Sequence, residues 1–236
     1  MKLKKGNLGK SYLIYGLGKS GISSFKYLNQ KNRCFVYDDN KKKINNRFKK
    51  HFISKSKLIS NNFDNIIISP GININKCKLS NYLKNNRKKI ITDLDIFYRF
   101  NPKVISITIT GTNGKSTTCK LLYDILKNHR YDVRLSGNIG NPILSEKKIN
   151  KTTIFIIEAS SYQLAYSKHF KSKFSIITNI APDHLERHNT IRNYTLSKLK
   201  CVTKQTSNDI AIIPNNNFLK NLIKFKNIKS KIIFLK

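Results

Sequence analysis

Short runs of apolar residues alternate with helical patterns along the first half of the chain. Strands are predicted over residues 11–15, 34–37 and 65–69, and a helix over residues 22–29 lies between the first two. Alternation of short strands with helices is typical of parallel βαβ units. The pattern therefore predicts an α/β fold from its first ninety residues.

The same alternation continues through the second half of the chain. A β-branched run over residues 104–110 predicts a strand that leads into a helix over residues 119–128. Further strands are predicted over residues 153–158, 174–180, 209–214 and 231–235, with helices over residues 194–200 and within 215–231. Because a Lys/Asn-rich stretch separates the two groups of strands, we predict two domains, over residues 1–95 and 96–236.

The chain carries a large positive charge, but we do not take this charge as evidence of a nucleic acid or membrane partner. The 236 residues include 46 Lys and Arg against 12 Asp and Glu, a formal net charge of +34, which would ordinarily indicate nucleic acid or an anionic membrane as partner. The lysines are spread along the whole chain and mixed with Asn and Ile, so we interpret the charge as drift toward A/T-rich codons. It should still attract polyphosphate ligands.

Cysteine usage and hydropathy exclude several classes of protein. The four cysteines, at positions 34, 77, 119 and 201, form no C-x-x-C pair, which argues against a zinc site or a disulfide framework. No apolar run reaches transmembrane length. We therefore expect a cytoplasmic protein with no membrane insertion and no specific nucleic acid partner.

The segment TGTNGKST at residues 110–117 is the strongest chemical signal. Strand, glycine loop, Lys-Ser and helix are the parts of a phosphate cradle, in which backbone N–H groups and the helix N-terminus face the phosphates. Only two residues separate Gly111 from Gly114, where the usual loop has four, and an ordinary glycine turn is the alternative. We predict an ATP site formed by Gly111, Thr112, Asn113, Gly114, Lys115, Ser116 and Thr117.

A second glycine pattern, Gly16-x-Gly18-x-x-Gly21, follows the first predicted strand. Asp38 and Asp39 end the next strand, so the segment meets the dinucleotide fingerprint. The pattern alone leaves three alternatives open: an NAD site, a nucleotide-sugar site, or a tight turn with a structural role.

Candidate ligands also follow two strands of the second half. Glu158 ends one strand, and Asp183 and His184 follow the next. Ligands of open α/β sheets bind at the carboxyl ends of the strands, where a carboxylate can hold Mg²⁺. Lys198 lies in a predicted helix and has no special status among so many lysines.

Taken in order, these motifs resemble the Mur ligase family. The matching segments are GLGKSG at 16–21, SPGI at 69–72, TGTNGKST at 110–117, SGNIGNP at 136–142, EASSYQL at 158–164, NIAPDHLERH at 179–188 and YTLSKLK at 194–200. TGTNGKST alone would fit any Mur ligase or a folylpolyglutamate synthase. The combination of GLGKSG with SPGI resembles the D-glutamate-adding member.

The resemblance implies a fold and an activity. The fold would be a Rossmann-like parallel-sheet domain that binds a UDP-linked substrate, followed by a P-loop-type α/β ATPase domain. The activity would be ATP-dependent amide ligation in peptidoglycan synthesis, adding D-glutamate to UDP-N-acetylmuramoyl-L-alanine through an acyl phosphate. A UDP-substrate thereby replaces NAD as the expected ligand of the first domain.

The resemblance also implies roles for individual residues. Lys115, His184 and Lys198 would be catalytic, with Lys115 on the β- and γ-phosphates. Ser116 and Glu158 would hold one Mg²⁺, His184 would hold a second, and Lys198 would assist as a carbamate. The substrate would contact Leu17, Lys19, Ser20, Asp38, Asp39, Ser69, Pro70, Gly71, Asn138 and Ser160.

The chain is expected to be shorter than a complete Mur ligase. The family has three domains, and this chain is expected to end within or just after the second, without the domain for D-glutamate. We therefore weigh an active ligase against an inactive nucleotide- or UDP-sugar-binding remnant, or half of a split ligase completed by a separate chain. A nucleic-acid-binding ATPase is a third hypothesis. We expect the chain to be a monomer.

Overall fold

The computed structural model describes residues 9–235, which form two parallel β-sheets. The first sheet has the order β2-β1-β3-β4. Its strands are β1 (Ser11–Tyr15), β2 (Arg33–Tyr37), β3 (Asn65–Ile68) and β4 (Ile90–Ile91). The strands are rich in Ile, Val and Tyr and largely buried, as expected for a parallel sheet covered on both faces.

The described residues of this first part include five α-helices. They are α1 (Lys19–Leu28), α2 (Asn46–Lys49), α3 (Lys55–Ser60), α4 (Ser80–Asn85) and α5 (Asp93–Phe100). Helix α5 begins with a capping box in which the Asp95 carboxylate accepts the backbone N–H of Thr92. It spans the predicted domain boundary at residues 95 and 96, and the exact limits of the domains stay a prediction.

The second sheet has six strands in the order β10-β9-β8-β5-β7-β6. They are β5 (Ile105–Thr110), β6 (Val133–Gly137), β7 (Ile154–Glu158), β8 (Phe174–Ile177), β9 (Ile210–Pro214) and β10 (Lys231–Leu235). The accompanying helices are α6 (Lys115–Asn128), α7 (Ser161–Tyr166), α8 (Leu185–His188), α9 (Ile191–Leu199) and α10 (Asn217–Phe225). Because β5 lies at the centre, the loop after it opens between its neighbours β7 and β8.

A single hydrophobic cluster connects the two sheets. It includes Tyr12 and Ile14 of β1 together with Ile157 of β7 and Ile213 of β9. The Phe97 ring of α5 packs on Phe155 of β7 with 4.7 Å between ring centroids. The two sheets therefore share buried apolar surface, and the carboxyl ends of β1 and β3 lie near those of β6 and β7.

The predicted α/β fold is confirmed, with differences at the level of elements. Helix α6 begins at Lys115 instead of residue 119, and β8 ends at Ile177 instead of residue 180. Two strands and six helices were not predicted from the sequence: β4, β6, α2, α3, α4, α5, α7 and α8. The four cysteines are free, and within residues 9–235 no helix combines the length and hydropathy needed to cross a bilayer.

Candidate functional site

The glycine loop between β5 and α6 has a backbone that only glycine fits. Gly111 has φ +153°, and a Cβ atom there would lie 1.9 Å from Thr178 Oγ1. Gly114 has φ +79° and forms the N-terminal cap of α6. The loop is also hydrogen-bonded to Asn179, which follows β8. Asn179 accepts the backbone N–H groups of Thr112 at 3.0 Å and of Asn113 at 2.9 Å. The loop is therefore held rigidly at the N-terminus of a 14-residue helix, where Thr117 lies in the first turn.

Two lysine amines bind carbonyl oxygens of this loop. Lys115 Nζ donates to Thr112 O at 2.7 Å, and Lys198 Nζ donates to Gly111 O at 2.6 Å. Lys198 is buried, with 1% of its surface exposed. Burial, together with the nearby charge of Lys115, lowers the pKa of the Lys198 amine to about 7. Near neutral pH a substantial fraction of this amine is therefore uncharged.

Glu158 places both carboxylate oxygens beside the same loop. Its Oε2 accepts the Ser116 hydroxyl at 2.7 Å, and its Oε1 accepts the Asn138 amide at 2.8 Å. The side chain is almost fully buried. Hydroxyl and carboxylate oxygens are ligands that suit Mg²⁺, which usually takes one or two carboxylates and completes its shell with water and phosphate oxygens. Within residues 9–235 no group of three or more His, Cys, Asp or Glu side chains is arranged to hold a metal ion.

His184 precedes α8 in a left-handed conformation, with φ +51°. Its Nε2 lies 3.3 Å from Asp183 Oδ2, and its ring lies against Tyr162 with centroids 4.9 Å apart. His184, Lys115 and Lys198 line one cavity of about 350 Å³, which we call the phosphate-loop cavity. The other residues lining it are Pro70, Gly71, Asn138, Ser160, Ser161, Tyr162 and Tyr194. All three predicted catalytic residues therefore meet at one place.

A second cavity, of about 390 Å³, lies at the carboxyl ends of β1 and β3 and is called the N-terminal cavity. The predicted substrate residues that line it are Lys19, Ser20, Asp38, Ser69, Pro70, Gly71 and Asn138. Pro70, Gly71 and Asn138 line both cavities, so the two adjoin. Ser69 donates its hydroxyl to Gly16 O at 2.7 Å, which fixes the glycine turn against the end of β3.

Two predicted substrate residues lie outside both cavities. The Leu17 side chain is buried in the core, and its backbone N–H donates to Asp38 Oδ2 at 2.7 Å. Asp39 accepts the Tyr15 hydroxyl at 2.8 Å and the Lys78 backbone N–H at 3.2 Å. Both residues support the glycine turn and the strand ends around the N-terminal cavity.

Sequence reasoning missed two buried polar residues that line the N-terminal cavity, Asp93 and Gln163. Asp93 Oδ2 accepts the Ser20 hydroxyl at 2.6 Å, and Oδ1 accepts the Leu94 backbone N–H at 3.0 Å. Burial raises the pKa of the Asp93 carboxyl above its ordinary value. The sequence offered no signal for Asp93, because it follows a strand of only two residues and resembles an ordinary helix start.

Comparison with known proteins assigns the chain to a family. The Mur ligase middle domain matches residues 109–235, and the MurD-like N-terminal domain of Mur ligases matches residues 10–91. The chain belongs to the Mur ligase family. The match to the middle domain begins within β5, just before the glycine loop, and includes Glu158, His184 and Lys198.

Two curated Mur ligases illustrate the relationship. The UDP-N-acetylmuramoylalanine–D-glutamate ligase of Rickettsia bellii is 35% identical over 218 residues, covering 91% of this chain and 47% of the relative. The enzyme of the same name from Caldicellulosiruptor bescii is 35% identical over 231 residues, covering 91% and 50%. The chain thus spans about half the length of the curated relatives it matches.

A solved Mur ligase structure shows the same fold. The UDP-N-acetylmuramate:L-alanyl-γ-D-glutamyl-meso-diaminopimelate ligase from Neisseria meningitides superposes with a TM-score of 0.57 at 13% identity, covering 95% of this chain and 77% of that one. At this identity the likeness concerns the fold alone. It agrees with the predicted succession of two parallel-sheet units.

Proposed function

We propose that this chain provides the ATP- and UDP-substrate-binding half of a ligase that adds D-glutamate to UDP-N-acetylmuramoyl-L-alanine. The observation that carries the proposal is the junction of the two cavities at Pro70, Gly71 and Asn138. A substrate lying along the N-terminal cavity can there extend one end toward Lys115 and the phosphate loop. Two curated relatives with this activity in their names are 35% identical to the chain.

The phosphate loop would bind ATP. Backbone N–H groups at the start of α6 and the Lys115 ammonium together neutralise phosphate charge, which is the main requirement when a carboxylate approaches a polyphosphate. Ser116 and Glu158 would hold Mg²⁺, and His184 would contribute to a second ion. When bound, Mg²⁺ supplies further positive charge at the transferring phosphoryl group.

The N-terminal cavity would bind the UDP-linked substrate. Its floor is the start of α1, a ten-residue helix whose N-terminus favours an anion, and Lys19 adds a cation beside it. Ser20 is oriented by its hydrogen bond to Asp93. We assign Asp38 to the uracil side, Ser69 to the sugar-phosphate region, and Asn138 and Ser160 to the muramoyl-peptide end.

The reaction would proceed in two steps. A carboxylate oxygen of the L-alanyl group attacks the γ-phosphorus, the bond to the β-phosphate oxygen breaks, and ADP leaves. The D-glutamate amine then attacks the acyl carbon, phosphate departs, and the amine proton passes to solvent. This chain would provide the sites for the first step, and we propose that D-glutamate is bound by residues beyond the half that it shares with its relatives.

Calorimetric titration tests the two sites separately. We expect Mg²⁺-ATP and UDP-N-acetylmuramoyl-L-alanine each to bind, and Lys115→Ala to weaken ATP binding at least about tenfold while leaving the UDP-substrate affinity unchanged. Lys120→Ala is the matched control, because Lys120 lies on the same helix, is 62% exposed and pairs with Asp124. Failure of the UDP-substrate to bind would contradict the proposal.

Phosphate release distinguishes a ligase from a binding remnant. The protein is incubated with Mg²⁺-ATP, UDP-N-acetylmuramoyl-L-alanine and D-glutamate, with and without a chain carrying the other half of a relative. Release that requires all three substrates supports the ligase. Binding of both nucleotides with no release under either condition would assign the chain to the nucleotide- and UDP-sugar-binding class.

A further inference from the structure

A third cavity, of about 340 Å³, lies on the opposite side of α9 from the phosphate loop. Tyr194 and Lys198 face the phosphate-loop cavity, whereas Asn193 and Ser197 of the same helix line this one. Three cationic side chains complete it: Arg87 from the turn before β4, Lys200 at the end of α9, and Lys226 at the end of α10. We call it the basic cavity.

We propose that the basic cavity is a binding site for the phosphate group of a small molecule, separate from the ATP site. Its cations come from three different parts of the chain, so their convergence is a property of the fold and not of a local lysine run. Arg87 can present a planar pair of N–H donors to phosphate oxygens, and Lys200 and Lys226 add compact charges. The Asn193 side chain adds a neutral polar group at the same wall.

Lys200 is held in a position that burial and its cationic neighbours disfavour. Its ammonium donates to the backbone oxygens of Ala165 and Ser167, the second at 3.3 Å. Burial lowers the pKa of this amine to about 8; among the nearby charges Asp95 raises the pKa, whereas Arg87, Lys168 and Lys226 lower it. A bound anion would relieve this repulsion.

Asp95, the carboxylate whose charge attracts Lys200, is held by hydrogen bonds within the fold. Asp95 Oδ1 accepts the Ser167 hydroxyl and the backbone N–H groups of residues 168, 169 and 170, at 2.7–2.9 Å. Its Oδ2 accepts the backbone N–H and hydroxyl of Thr92. No Asp or Glu within residues 9–235 lines the basic cavity. The described wall of the cavity therefore carries three cations and no carboxylate, which favours an anionic ligand.

Titration with inorganic phosphate tests the site. Because the phosphate loop also attracts phosphate, the titration is performed in Lys115→Ala protein, with heat and ³¹P line width as readouts. We expect saturable binding in this background, and a loss of at least about tenfold in affinity when Arg87→Gln and Lys226→Gln are added. Both side chains are exposed, so these substitutions leave the core intact.

A charge-matched variant distinguishes a built site from the diffuse field of the protein. Lys55→Gln with Lys57→Gln also removes two positive charges, from exposed positions on α3 that do not line the basic cavity. We expect this control to keep the affinity for phosphate within about twofold. Absence of saturable binding, or an equal loss in both double variants, would overturn the proposal.

A second arm identifies what carries the phosphate group. ADP and AMP are titrated into the same Lys115→Ala protein in competition with phosphate. Competition that is lost in the Arg87→Gln, Lys226→Gln variant supports a site for phosphorylated small molecules. Competition that persists in that variant would place the phosphate elsewhere on the chain and refute the assignment.

Discussion

At the scale of single residues, Lys198 combines an unusual environment with a predicted chemical role. Its amine is buried, bonded to Gly111 O, and partly uncharged near pH 7. An uncharged amine can attack CO₂: the nitrogen lone pair forms an N–C bond, one C=O π bond opens, and an N–H proton passes to solvent. The product is the carbamate that the family resemblance implies.

Carbamate formation is directly observable. In ¹³C-bicarbonate at about pH 7 we expect a protein carbamate resonance that Lys198→Met removes. Lys115→Ala should weaken the signal, because removing the neighbouring charge raises the Lys198 pKa and reduces the uncharged fraction. Lys120→Ala serves as the control, since its side chain is exposed. A resonance that survives in Lys198→Met would assign the carbamate to another amine.

The lowered pKa also predicts how stability depends on pH. Between about 7, the pKa of folded Lys198, and its ordinary value of 10.5, the unfolded chain binds more protons than the folded chain. Stability from this group therefore rises with pH across that window, by up to about 1.4 kcal/mol per pH unit. Denaturant unfolding between about pH 7 and 9 should show a smaller slope in Lys198→Met, and an unchanged slope in Lys120→Met. Equal slopes in wild type and Lys198→Met would show that the amine is protonated in the fold.

Substitution by alanine is expected to cost very different amounts of unfolding free energy at two glycines of the N-terminal motif. A Cβ at Gly21 would lie 1.8 Å from Gly16 O, whereas a Cβ at Gly18 would meet nothing within 4 Å. Gly21→Ala should therefore cost about 3 kcal/mol of unfolding free energy, and Gly18→Ala less than about 1 kcal/mol. Urea unfolding of the two variants measures this, and similar costs would mean that the turn yields to the added methyl group.

Site residues differed in how far the sequence could reveal them. The grouping of Lys115, Ser116 and Glu158 beside one loop was predictable, because strand ends and a glycine loop impose recognisable local patterns. Lys198 was not predictable from the residues alone, because its burial depends on α9 packing against a loop 87 positions earlier. The same holds for Asp93, whose partner Ser20 lies 73 positions away.

At the scale of elements, Asp95 connects the start of α5 to the segment before β8. Its carboxylate accepts hydrogen bonds from Thr92 and from residues 167–170. An asparagine would replace one acceptor oxygen by a donor facing those N–H groups. We expect Asp95→Asn to lower the unfolding free energy by about 3 kcal/mol.

The matched control is Asp124→Asn on α6. Asp124 is 46% exposed and pairs with Lys120 on the helix surface, so its loss should change stability by less than about 0.5 kcal/mol. Thermal or urea unfolding of both variants provides the comparison. Equal small effects would mean that Asp95 contributes little beyond the cap of α5.

Elements that the pattern missed have identifiable physical causes. Strand β4 has only two residues, too few for any alternation to be visible. Strand β6, at the edge of the sheet, has only two apolar positions, Val133 and Leu135, which are too few to establish an alternation. Helix α6 begins earlier than predicted because Gly114 in a left-handed conformation turns the chain directly into Lys115.

At the scale of the whole molecule, the net charge and an apolar sheet edge have opposite effects on self-association. Strand β10 pairs only with β9 among the described residues, and Ile233, Phe234 and Leu235 are each at least 37% exposed. Exposed edge strands favour association, whereas the charge of +34 opposes it. Raising ionic strength from about 0.1 M to 1 M shortens the Debye length from about 10 Å to about 3 Å.

We therefore expect a monomer at low ionic strength that associates reversibly as salt is added. Ile233→Lys with Phe234→Lys should suppress this association, and sedimentation velocity provides the measurement. Leu121→Lys with Ile125→Lys on α6 is the control, because these exposed apolar residues lie away from the sheet edge. Suppression by the control alone would move the contact surface to α6.

The hydrophobic cluster that runs from β1 to β9 has a thermodynamic consequence. Because both sheets bury side chains in the same cluster, neither can unfold and leave the packing of the other intact. A ligand bound at one cavity therefore stabilises the chain as a whole by mass action, including strands that it does not contact. Ligands at the two cavities would therefore oppose the same unfolding transition, without any change of shape in the folded state.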